Sequence, residues 1–225
     1  MMSYLQLKRR ITPTRTMSAD EKCPSRKFPG ILGIIGPIIA LVAISVAIIL
    51  SLSWFTWDGN ALSDLGNYDN GLLAAIVFNV GLVLAGALLL IFSYSFTKVI
   101  KDLPTKIGFI PFFIALIFLI AIGVFSENAG AIHFYVSVGF FGSFPFAMWF
   151  VGLGFLRFRK FLWFSLISII MPFFSIYMWT SWFGGSFPFW SGNAIPEITT
   201  AFTGIGWLWL IWILYDRSDL SIITQ

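Results

Sequence analysis

The chain has 225 residues, 58% of them hydrophobic and 11% charged, with a mean hydropathy of +0.90. Soluble domains carry about 25% charged residues, so the composition excludes a water-soluble globular fold and puts the chain in the membrane class. The formal charge is +4, and the single cysteine and single histidine leave no intrachain disulfide, no CxxC pair, no Cys/His zinc site and no bis-histidine haem.

Residues 1–29 hold seven Lys/Arg among clustered Ser, Thr and Pro, which predicts a disordered basic arm. The apolar run that follows is too long for the h-region of a signal peptide, about 7–15 residues. Met17 is an alternative start to Met1 or Met2. Cys23, beside basic residues and the membrane, is a candidate acylation site. Six apolar runs come next, at 31–54, 72–97, 107–126, 133–155, 161–183 and 196–215. At about 1.5 Å per residue each can cross about 30 Å of hydrocarbon. Backbone polar groups in lipid must be satisfied within the segment, so the runs are helices; the short alternating strands of a membrane β-barrel are absent from the pattern. The expected fold is all-α, a six-helix membrane domain over 30–216 followed by a short tail, 217–225. No internal repeat relates the first three runs to the last three, which weakens a transporter reading.

Charge orients the chain. With the amino terminus inside, segments 1–30, 98–106, 156–160 and 216–225 hold seven, three, three and one basic residues, all fourteen in the chain. The outer loops hold none and carry Asp58, Asp64, Asp69, Glu127 and Glu197 instead. Lys and Arg concentrate in cytoplasmic loops, so both termini are expected in the cytosol of a multi-pass plasma-membrane protein. The basic residues then face anionic lipid rather than nucleic acid.

Gly139, Ser143 and Ala147 in the fourth run, and Gly81 and Ala85 in the second, have the four-residue spacing that lets helices approach closely. Gly139 and Ser143 are expected at a contact between the fourth and fifth helices, and a self-association seam is the alternative use. Pro145 and Pro172 fall mid-helix, where each removes a hydrogen bond and bends the helix. Trp54, Trp57, Trp182 and Trp190 mark one membrane boundary and Trp163 the other. The apolar stretch 184–196 is expected to roof whatever lies beneath it.

Motifs for nucleotide, zinc-peptidase or serine-hydrolase chemistry are absent. The polar residues that need a reason are Asn60, Ser63, Asp64, Asn79, Glu127, Asn128, His133 and Glu197, drawn from four segments yet all expected on the outer side. Each has a plain structural use, as turn former, interhelical hydrogen-bonding residue or helix cap; together they define a candidate pocket.

The stretches 60–91 and 123–141 resemble the DUF998 family of archaeal and bacterial membrane proteins. The likeness runs through Ser63, Leu65, Gly66, Phe78, Asn79, Gly81, Leu82 and Gly86, then Gly123, Val124, Phe125 and His133, with Ser126 where the family often has proline. More distantly, Ser63, Asp64 and Gly66 after the first helix are similar to the Frag1/DRAM/Sfk1 group of six-helix proteins. The resemblance implies the fold and the motif residues, and no reaction.

The reading favoured by these residues is a binding, sensing or accessory membrane protein, without cofactor, whose outer-facing pocket takes a lipid or other amphiphile. Asn79, Ser63, Asn128, Glu197 and Trp190 would line it. The alternative is a lipid hydrolase or transferase, with His133 as general base, Asp64 or Glu127 as its orienting carboxylate, and Ser63 or a water as nucleophile. A carboxylate-rich set with one imidazole also suits manganese, iron or zinc. The expected partners are membrane lipids, a second copy of the chain or another membrane subunit.

Overall fold

The structure, a computed structural model, describes residues 27–185 and 191–216. Among them are seven α-helices, α1 (Lys27–Leu50), α2 (Leu72–Val99), α3 (Leu103–Gly108), α4 (Ile110–Val124), α5 (Ala131–Phe155), α6 (Leu162–Phe183) and α7 (Ala194–Asp216), and no strand. Six spans are long and apolar enough to cross a membrane, α3 and α4 together forming one of them, Leu103–Val124. The protein is an all-helical multi-pass membrane protein.

The elements depart from the expected runs where local chemistry intervenes. The first helix stops at Leu50, four residues early, and residues 51–54 form turns. The third span starts four residues early because Asp102 caps it, its carboxylate accepting the Thr105 backbone N–H at 2.8 Å, with Pro104 in the first turn. Pro111 lacks a donor, so this span divides at Phe109 into α3 and α4. Lys27 to Pro29, expected in the basic arm, are already helical. The rest of that arm, with Met17 and Cys23, lies outside the described residues, as does the tail 217–225.

Sequence neighbours are spatial neighbours, and α7 returns against α1 to close a ring. Lipid gives apolar burial no driving force, so close contact depends on small residues. Along the α1–α2 seam a Cβ on Gly81 would overlap that of Ala43, and one on Gly36 would sit 2.9 Å from the Leu89 side chain. Gly139 faces Phe118, where an added Cβ would come within 2.6 Å of the ring. Its close contact is therefore with α4, the third span, and not with the fifth span as the spacing suggested. The Ser143 hydroxyl turns back onto its own helix, donating to the Gly139 carbonyl at 2.5 Å.

The interior has two parts. At the end that carries Asp102 and Arg157, Phe92, Phe96, Phe109, Phe112, Phe155, Phe164 and Trp207 form a buried aromatic core. Arg157 donates to Asp102 at 2.7 Å, and the Thr105 hydroxyl reaches the Gly154 carbonyl, clamping α3 to α5. Burial alone would raise the Asp102 pKa, but the two Thr105 hydrogen bonds and the Arg157 charge outweigh it and hold it below the ordinary value. This is the basic end. At the opposite, acidic end a smaller cluster of Ile44, Leu62, Leu65, Phe78 and Leu82 underlies the connection from α1 to α2.

Candidate functional site

The 51–71 connection folds into a lid over the acidic end, fastened from three directions. From below, α2 presents Asn79, whose side-chain amide donates to the Gly66 carbonyl at 2.9 Å. Gly66 lies so close to α2 that a Cβ there would stand 2.6 Å from Asn79 Oδ1 and 2.9 Å from the Phe78 ring, while Leu65 beside it is fully buried. Leu65 and Gly66 of the lid thus pack on Phe78 and Asn79 of α2. From one side, Asn128 accepts the Tyr68 backbone N–H at 2.8 Å and donates to Asn67 at 2.9 Å and Asp69 at 3.0 Å. From the other, Glu197 in the first turn of α7 accepts the Leu62 backbone N–H at 2.5 Å and, at 3.3 Å, a hydrogen bond from Asn193. The Ala194 N–H adds a bond to the Asn60 carbonyl at 2.9 Å.

Within the lid, Asp64 closes its own turn by accepting from the Asn60 side chain at 2.8 Å and the Ala61 N–H at 3.0 Å. Asp64 interacts with Glu127, and both act electrostatically on Glu197. Burial, the hydrogen bond with Asp64 and the Asp64 charge together push the Glu127 pKa up to about 8. At neutral pH most Glu127 therefore keeps its proton. Glu127 Oε2 is buried without a hydrogen-bond partner.

His133, in the first turn of α5, is buried and places Nδ1 2.7 Å from the Phe125 carbonyl. A carbonyl only accepts, so Nδ1 carries a proton. Nε2 is buried and unpartnered, as is Asn79 Oδ1. The group that orients the ring at Nδ1 is thus the Phe125 backbone, where Asp64 or Glu127 was expected. Among the described residues no three His, Cys, Asp or Glu side chains stand together as metal ligands would. Trp190 lies outside the described residues.

Beneath the lid is a central cavity of about 110 Å³. Its polar lining is Ser63, Ser137, Glu197 and Thr200, and the rest is apolar, reaching Leu89, Leu116 and Leu208. From Glu197 to Leu208 along α7 is about 16 Å at 1.5 Å per residue. Ser137 and Thr200 were not among the expected site residues, because a lone hydroxyl in a long apolar helix carries no motif. Thr200 joins α7 to α6, its hydroxyl lying 2.6 Å from that of Ser175 and accepting from Trp179 at 3.0 Å.

An all-helical protein of six membrane spans, with an acidic lid over a central cavity, is the class these features define. The family model for a protein of unknown function, DUF998, matches residues 34–214, and the chain belongs to that family. Nothing among curated proteins or solved structures matches it.

Proposed function

We propose that the protein sits in the plasma membrane with both termini in the cytosol and the acidic lid outward, and that it binds a lipid or small amphiphile, as a sensing or accessory subunit. The apolar part would occupy the central cavity, and the polar part would meet Ser63, Ser137, Glu197 and Thr200. The observation that carries this reading is a buried carboxyl group, Glu197, in the wall of a largely apolar cavity. Such a group is expensive at membrane depth and commonly faces a functional interior. Native mass spectrometry of the detergent-purified full chain tests it. The wild type should hold one lipid-mass adduct. Ala201→Phe, which fills the cavity from α7, should lose the adduct while unfolding no earlier on heating. A wild type that is bare under the gentlest conditions contradicts the reading.

The hydrolase or transferase alternative has one observation in its favour. A histidine whose Nδ1–H is anchored and whose Nε2 is free is the tautomer a general base requires. Release of fatty acid or head group from reconstituted vesicles, abolished in His133→Gln, would support it. Identical vesicle composition with wild type and variant would exclude it.

A further inference from the structure

A second hollow, about 500 Å³, runs as a furrow between α5 and α6 from Trp182 and Asn193 at the acidic end to Pro145 and Trp149 at mid-helix. Ser137, Phe141 and Glu197 belong to its wall and also to the wall of the central cavity. Behind them the hydroxyls of Ser175, in the furrow, and Thr200, in the cavity, hydrogen-bond to each other. The partition is therefore a few side chains thick, with the Phe141 ring leaning on Trp179 at a centroid distance of 4.9 Å. The furrow opens on a membrane-facing surface, with Phe134, Val138 and Phe146 exposed along it. Gly142 leaves it unfilled, because a Cβ there would meet nothing within 4 Å. Its upper end reaches Asn193, next to Asp58, whose carbonyl accepts the Ser191 and Gly192 N–H groups at 2.8 Å, and the connections at this end carry Asp58, Asp64 and Asp69 with no Lys or Arg. An anionic head group would be repelled there and an ammonium group attracted.

We propose that the furrow between α5 and α6 is a lateral portal through which the acyl chain of an ammonium-headed lipid passes from the surrounding leaflet, past Phe141, into the central cavity. The head group stays at the carboxylate rim, so the chain never has to be withdrawn into water. The proposal rests on the central cavity being an amphiphile site.

The test uses the full chain in lipid nanodiscs, with a diazirine-tailed phosphatidylcholine or phosphatidylglycerol delivered from donor vesicles after assembly. Crosslinked peptides are then followed over time. Phosphatidylcholine should label furrow residues such as Phe146 and Ile176 and then cavity residues such as Leu116 and Leu208. Phosphatidylglycerol should label the cavity about tenfold less, equivalent to roughly 1.4 kcal/mol of discrimination. Gly142→Phe should remove the furrow labels and slow cavity labelling by about tenfold, as should Val138→Trp, which reaches the furrow from an exposed position should the first variant fold poorly. Cavity labelling undiminished in both folded variants overturns the portal and leaves the amphiphile site standing. Equal cavity labelling by both lipids overturns the head-group selection. Wild-type cavity residues that neither lipid labels, in protein that unfolds normally, overturn the amphiphile site and the portal with it.

Discussion

At the scale of single residues, Asn79 and Glu127 answer to different physics. Asn79 is buried, and its amide is the donor to the Gly66 carbonyl under the lid. Asn79→Ala leaves that carbonyl unpaired and should cost about 1–3 kcal/mol, read as an earlier midpoint in thermal unfolding. Glu127 is governed by its proton. Its folded pKa, about 8, lies above the ordinary 4.5, so the folded state binds the proton more tightly than the unfolded chain does. The stability this contributes is fully present below about pH 4.5 and is lost as pH rises toward and through 8. Glu127→Gln should flatten that decline between pH 5 and pH 9, and parallel decline in variant and wild type would contradict the assignment. The sequence made both residues legible as polar groups in or beside apolar segments. It did not show their partners, because the Gly66 carbonyl and the Asp64 carboxyl reach them only once the lid has folded.

The helices themselves were legible because a span needs a long apolar run and little else. Their ends were not, since those depend on a capping aspartate and two prolines, Asp102, Pro104 and Pro111, whose effect is decided within a turn. Small-residue spacing identified close-packing faces without identifying what packs on them. Thus Gly139 meets Phe118 on α4, whereas Gly81 meets Ala43 on α1. Gly81→Leu should destabilise by overpacking, about 1–3 kcal/mol. Gly142→Ala, on the same helix as Gly139 but facing open space, should be neutral or stabilising by roughly 0.5–1 kcal/mol. Comparing unfolding midpoints of the two variants in one detergent checks both, and a Gly81→Leu protein as stable as wild type would mean that α1 and α2 are not held in this register.

For the whole molecule, the proposed orientation rests on the division of charge, and the ring of helices sets the cavity. With Cys23→Ser as background, a cysteine at exposed Asn70 should react with a membrane-impermeant maleimide in intact cells. Labelling only after permeabilisation would reverse the topology. Apart from Ser63 and Glu197, the cavity lining was hidden from the sequence, since it comes largely from α1, α2, α4, α5 and α7 at positions that read as ordinary apolar helix. What fills this cavity decides whether the protein binds an amphiphile. An experimental map of the full chain in a lipid nanodisc, with a bound antibody fragment to add mass, examines it directly. One elongated density is expected from Ser63 and Glu197 down toward Leu116 and Leu208, lost in Ala201→Phe. A cavity closed by side chains in the wild type, with no such density, would contradict it.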